Sequence, residues 1–200
     1  MRFLVPLIFL LATGCSTIDK AFTGEKSSGH LEVNTSMYDK SSMVHLVAAP
    51  LFDAKDSPGD FKLGFYWETK MDEQVYFIVS MPVDDIAEYD KVSKSLSNLY
   101  INVDNHKKML KKARNAISVK EKDYLLTKKY EAKIRFVGSR TLLKTMLAGN
   151  KVTLKVKVPG KVYEGRFDLM STKRGKYKKS KNIAYNSAER FAVAVSKAVQ

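Results

Sequence analysis

Residues 61–83, FKLGFYWETKMDEQVYFIVSMPV, decide the fold. Phe61, Leu63, Phe65 and Trp67 fall on one face of an extended chain, and Val75, Phe77, Val79 and Met81 do the same beyond the polar break KMDE (70–73). A period of two marks a strand, and aromatic and β-branched side chains suit a pleated, half-buried surface. Two such runs joined by a short polar turn predict an antiparallel hairpin packed into a core.

Outward from this hairpin the pattern repeats. SMVHLVAAPLF (42–52) is an apolar run separated from it by the turn-rich DAKDSPGD (53–60), and strand-like sequence begins at about His30. On the other side, DDIAEYDKVSKSL (84–96) opens on acids and closes on lysines, as a helix complementing its dipole does, with Asp85 and Glu88 at capping-box spacing. Asp84, Asp85, Glu88 and Asp90 lack the alternating ligands and central glycine of a calcium loop, so they are read as a helix start or a solvated turn. NLYINVD (98–104) is a strand with Leu99, Ile101 and Val103 inward. HKKMLKKARNAI (106–117) admits two readings. As a helix it gathers Met109, Leu110, Ala113, Ala116 and Ile117 on one face within a basic surround, a form suited to lying on an anionic membrane. As a strand it follows the turn-forming Asp104-Asn105 and turns its lysines outward, which is the reading preferred here.

The C-terminal half is plainer. YEAKIRFV (130–137) alternates Tyr130, Ala132, Ile134 and Phe136 inward with Glu131, Lys133 and Arg135 outward, and Gly138 is read as its break. Ser139 caps a short helix carrying Leu142, Leu143, Met146 and Leu147, which Gly149 ends. KVTLKVKV (151–158) turns at Pro159-Gly160 into VYEGRFDLM (162–170). A register centred on that turn pairs Val156 with Tyr163 and Val152 with Phe167 inside, and Lys155 with Glu164 and Lys151 with Asp168 outside. Residues 186–199, NSAERFAVAVSKAV, form a last helix with Asn186 and Glu189 as capping box and Ala188, Phe191, Ala192, Val195 and Ala198 or Val199 as buried stripe. The expected fold class is therefore α+β and β-rich: antiparallel, sandwich-like sheet with a short helix near 139–148 and a C-terminal helix near 186–199.

Charge is distributed unevenly. The chain carries +14 overall. Residues 15–104 hold 8 Lys and Arg against 15 Asp and Glu, whereas residues 105–200 hold 26 against 6. Such asymmetry suits an anionic partner or mutual neutralisation of the two halves. An apolar fraction of 44% with 28% charged residues is that of a folded chain.

The single cysteine, Cys15, stands behind the apolar run FLVPLIFLLA (3–12) and one basic residue, Arg2. The run is half the length of about 20 residues that a spanning helix needs, and Pro6 interrupts it. It is read as a secretory signal. Leu11, Ala12, Thr13, Gly14 and Cys15 then resemble the lipobox of bacterial lipoprotein precursors, with Ala12 where leucine is commonest. The resemblance implies cleavage between Gly14 and Cys15 by signal peptidase II and a lipidated Cys15. Ser16 after the cysteine, rather than Asp, implies the outer membrane in the enteric-type sorting rule. An ordinary secretory signal is the competing reading and would leave Cys15 a free thiol. The implied organisation is a signal peptide at 1–14, lipidated cysteine and flexible tether at 15–29, and one globular domain at 30–200. A polar Gly/Ser-containing tether of this length reaches roughly 20 Å.

No cofactor motif, phosphate cradle or nucleophile elbow is present in the sequence. His30, His45 and His106 share no metal spacing, and His45 sits in an apolar strand as a core or edge histidine. No catalytic residue or metal ligand is assigned. The candidate anion-binding residues are Lys173, Arg174, Lys176, Lys178, Lys179 and Lys181 around Tyr177, competing with a merely solvated loop. The functional expectation is a membrane-anchored cell-envelope lipoprotein, non-enzymatic, facing the periplasm or the cell exterior. It has a binding, scaffold or assembly role toward anionic lipid, lipopolysaccharide or an acidic envelope protein; nucleic acid is disfavoured by location. The alternatives are an envelope hydrolase with a carboxylate site and a self-associating structural component.

Overall fold

The computed structural model describes residues 27–53, 58–124, 127–167, 170–171, 178–179 and 183–199. The hairpin of 61–83 is its centre. Strand β3 (Pro58–Glu68) and β4 (Gln74–Val83) pair antiparallel, with Phe65 opposite Phe77, and all eight side chains expected inward are buried. Phe65 meets Phe77 edge-on at 5.0 Å, the geometry aromatic quadrupoles favour.

Around this pair, β1 (Leu31–Thr35) and β2 (Ser42–Phe52) lie on one side. On the other lie β5 (Asn98–Val103), β6 (His106–Tyr124), β7 (Thr127–Ser139), β8 (Val152–Val158) and β9 (Lys161–Arg166). The spatial order is β1-β2-β3-β4-β7-β6-β5-β8-β9, antiparallel throughout. The sheet curls until Arg166 of β9 stands opposite Phe52 of β2, so its two ends meet around one core. Short strands β10 (Met170–Ser171) and β11 (Lys178–Lys179) form a separate antiparallel pair.

Three helices fill and close the curled sheet. Helix α1 (Ile86–Ser95) starts where the acidic cluster lies: Asp85 is its N-cap and accepts from the Glu88 N–H at 2.6 Å, while the Glu88 carboxylate reaches back to the Asp84 N–H. Helix α2 (Arg140–Ala148) begins at Ser139, whose hydroxyl accepts from the Leu142 N–H at 3.0 Å, and buries Leu143 and Met146. Helix α3 (Ile183–Ala198) packs on β2 and β3, with the Phe191 ring tilted against Phe65 at 5.4 Å. Full burial of one such phenylalanine contributes about 1.5–3 kcal/mol.

The ambiguous segment 106–117 belongs to β6. Asp104 and Asn105 both take positive φ, 47° and 71°, as a two-residue type I′ hairpin requires, and Val103 pairs with His106 across it. The Asp104 carboxylate also accepts from the N–H groups of Asn150 (3.1 Å) and Lys151 (2.8 Å), tying the hairpin to the start of β8. The β8–β9 register is the expected one: Val156 opposes Tyr163, Lys155 opposes Glu164, and the Phe167 N–H donates to the Val152 carbonyl. The Lys151–Asp168 pair involves a residue outside the described ones.

Three expectations need correction. Gly138 does not break β7: the strand runs through it to Ser139, with Gly138 opposite Val75. The last helix starts at Ile183, so Asn186 and Glu189 lie inside it rather than at its cap. Ala184 and Tyr185 explain the earlier start, both being buried, with Tyr185 OH donating to the Leu147 carbonyl at 2.8 Å and its ring 5.5 Å from Phe167. Glu131 points away from the core as expected, yet it is buried, paired with Lys62 at 2.8 Å. The outer face of β3–β4–β7 is therefore only partly open to solvent.

Candidate functional site

Two surfaces stand out. The first is the outer face of the wall β6–β5–β8–β9. Pairing register sets its rows: Lys107, Asn102, Thr153 and Arg166 form one, and Met109, Tyr100, Lys155 and Glu164 the next. Lys111 opposite Asn98 and Lys157 opposite Val162 continue them. Alternation explains the arrangement, because the intervening residues Leu99, Ile101, Leu110, Leu154 and Val156 are all buried on the inner face. The wall thus presents Lys107, Lys111, Lys155 and Lys157, with the half-buried Arg166 at its edge; among the described residues of these rows the carboxylate is Glu164, which Lys155 engages at 2.6 Å. Among these cations sit three exposed apolar side chains, Tyr100 (40% exposed), Met109 (52%) and Val162 (54%). Strand geometry splits the lysine cluster of 107–114, since Lys112 turns from the wall and donates to the Ser93 carbonyl in the last turn of α1 at 2.8 Å. Arg114 is exposed beyond the wall.

The second surface is a groove of about 830 Å³ between β1 and α3. Leu31, Val33 and Thr35 line one side and Val193, Ala194 and Lys197 the other. Val33 and Val193 are each about half exposed (52% and 51%). Glu189 is the one carboxylate in the groove. Beyond it, the β1–β2 connection presents Met37 and Tyr38 fully to solvent. That tip is ordered by Asp39, which accepts from the Ser41 hydroxyl (2.7 Å) and N–H (3.1 Å). Hydrogen bonds from Ser36 and Ser41 lower its carboxyl pKa to about 2.

The histidines do not converge. His30 and His106 are exposed, whereas His45 is buried on the outer face of β2, its Nδ1 3.9 Å from Glu32 Oε1 and its ring 6.3 Å from that of Tyr66. Burial, and then the Glu68 charge, push the Tyr66 hydroxyl up to about 12, and it donates to the Glu68 carboxylate at 3.3 Å. Among the described residues, no three His, Cys, Asp or Glu side chains gather where they could hold a metal ion, and no helix is long and apolar enough to cross a membrane.

Of the residues singled out from sequence, Gly14 and Cys15 lie outside the described residues. So do Lys173, Arg174, Lys176 and Lys181, while Lys178 and Lys179 form β11, whose backbone pairs with Met170 and Ser171. The cationic wall was visible in pieces, as lysine-outward alternation in 106–117 and 151–158. What joined the pieces is the non-sequential order β6–β5–β8, which a linear pattern does not carry. The groove was missed because β1 was not separated from its surroundings, although Leu31 and Val33 alternate as a short strand would.

No protein-family model matches the chain, and no curated protein does. Among solved structures the chain is similar to invasion associated protein B from Bartonella henselae, with 12% identity, a TM-score of 0.35, and coverage of 86% of this chain and 97% of that one.

Proposed function

We propose that this chain is a lipid-anchored protein of the bacterial cell envelope that binds, without catalysis, a phosphate-bearing lipid or lipopolysaccharide surface through the wall β6–β5–β8–β9. The observation that carries the reading is the composition of that wall: four lysines, one of them paired with Glu164, arranged around exposed Tyr100, Met109 and Val162. Lysines at this density are attracted to anionic headgroups, and an exposed aromatic and a methionine among them suit the boundary between headgroup and acyl chain. The lipobox-like sequence ending at Cys15 supports the anchor, and a tether of roughly 20 Å keeps the wall within reach of the same membrane. The basic run 173–181 adds cations of the same sign in sequence.

Anchor and wall are separable experimentally. Intact mass of the membrane-extracted protein tests the anchor, with the expected species beginning at Cys15 and carrying acyl chains. A Cys15→Ser protein that stays attached to membranes in high salt refutes it. The wall is then measured on Cys15→Ser protein, without lipid, by co-sedimentation with phosphatidylglycerol vesicles at low salt. Replacing Lys107, Lys111 and Lys157 by Gln is expected to weaken binding about a hundred-fold, at roughly a five-fold factor per lysine. Unchanged binding sinks the proposal.

A further inference from the structure

The groove between β1 and α3 has a property that an apolar hollow alone lacks: one of its walls is an unpaired strand edge. The register of β1 on β2 runs from Leu31 opposite Leu46 to Thr35 opposite Ser42. At its two ends, the His30 carbonyl accepts from the Val47 N–H (2.9 Å) and the Ser36 N–H donates to the Ser41 carbonyl (2.8 Å). Residues of an antiparallel strand alternate the side on which both backbone groups lie. Glu32 and Asn34 therefore spend theirs on β2, and Leu31, Val33 and Thr35 turn theirs to the open edge. Strand β1 ends the sheet order, so no described strand meets that edge. The side chains of the same three residues line the groove, opposite Val193, Ala194 and Lys197.

We infer that the β1 edge takes up an extended, acidic segment of a partner protein as an added strand, with its alternate apolar side chains seated against α3. Only an extended backbone matches the spacing of free N–H and C=O groups at Leu31, Val33 and Thr35; an acyl chain offers no partner for them. Period-two alternation in the added strand places every second side chain in the groove, whose apolar lining is valine, leucine and alanine. Charge selects an acidic occupant. Arg190 and Lys197 outnumber Glu189 at the groove, and the chain as a whole carries +14. The same charge opposes the pairing of two copies edge to edge. The turn into β1, closed by the His30 N–H on the Ser27 carbonyl (3.0 Å), leans on β2 through the Gly29 N–H and Val47 carbonyl (3.1 Å). Arg190 clasps the Gly29 carbonyl at 2.9 Å, fixing α3 to the root of the strand.

The test uses the full-length protein in detergent micelles and a fluorescein-labelled octapeptide alternating valine with glutamate, read by anisotropy. Val33→Pro is the discriminating variant, because it removes an N–H that β2 does not use. The expected result is saturable binding that weakens about ten-fold or more in Val33→Pro, with the melting temperature kept. Lys197→Glu also weakens it, and a Lys107→Gln, Lys111→Gln, Lys157→Gln protein binds as the parent does, which separates this site from the cationic wall. Absence of saturable binding, equal binding by Val33→Pro, or equal binding of the same composition arranged as a valine block and a glutamate block overturns the inference. A dimer that Val33→Pro dissociates overturns it in favour of a second copy. Tighter peptide binding after deletion of residues 16–26 overturns it in favour of the chain's own segment.

Discussion

Gly138 offers a prediction whose sign depends on why the glycine is there. A Cβ built on it would press on Cε2 of Phe77, lie 2.6 Å from Cδ2 of the same ring, and lie 3.2 Å from the Leu110 side chain. Phe77 has no room to yield, being fully buried and held edge-on against Phe65 at 5.0 Å. Overpacking a filled core costs about 1–3 kcal/mol. Against this, Gly→Ala at an unstrained strand position regains about 0.4–1 kcal/mol by stiffening the unfolded chain. The net expectation for Gly138→Ala is a loss of about 1–2 kcal/mol, or about 3–6 °C in melting temperature for a chain of this size. Urea and thermal unfolding of parent and variant measure it. Trimming the obstacle supplies the control, since in the Gly138→Ala background Phe77→Leu should cost less than it does in the parent. A Gly138→Ala protein as stable as the parent or more so, with additive Phe77→Leu, would falsify the packing account.

Two further outcomes follow from the polar contacts. Glu73 accepts from the Thr141 hydroxyl and N–H, both at 2.7 Å, and these bonds hold its carboxyl below the usual carboxylate range, aided by Arg140 and Lys144. Because the folded pKa is depressed, this stability is complete above the unfolded value of about 4.3 and is lost as pH falls through the folded one. Glu73→Gln should therefore melt lower than the parent at pH 7, with the gap closing in acid, and a gap independent of pH rejects the linkage. For the Lys62–Glu131 pair, Lys62→Met alone leaves a buried carboxylate and should destabilise by about 2–4 kcal/mol, whereas Lys62→Met with Glu131→Met should recover most of that loss. Strictly additive effects in the four-protein cycle argue against a coupled pair.

Strand period and turn chemistry carried most of the fold into the sequence. The alternations at 61–83, 98–104 and 151–158, the Asp104-Asn105 and Pro159-Gly160 turns, and the caps at Asp85 and Ser139 are local signals that the packing reinforces. Gly160 takes φ 74° in its turn, the conformation for which glycine is selected. Where local and tertiary forces diverge, the sequence misleads. Asn186 and Glu189 satisfy a capping pattern, but the Tyr185 ring on Phe167 draws one more turn into α3. Glu131 obeys alternation, yet it is buried on the outer face, where Lys62 two strands away pairs with it. The wall and the groove were less legible still, because each joins elements that are distant in sequence and adjacent only in the sheet order.

The seating of α3 also sets a schedule. Phe191 rests on Phe65, and Ala188 and Val195 are buried alongside, so the strands written early in the chain are covered by a helix written near the end of the described residues. Contacts of such separation are slow to form, because the loop between them must close first. A chain emerging from a ribosome would hold β1 to β4 with Phe65 and its neighbours still uncovered by α3 until residues 183–198 arrive. Final packing of those strands is thereby postponed. The same interval is one in which an unprotected apolar sheet invites aggregation, so escort by a holding chaperone would matter most just before the last helix appears.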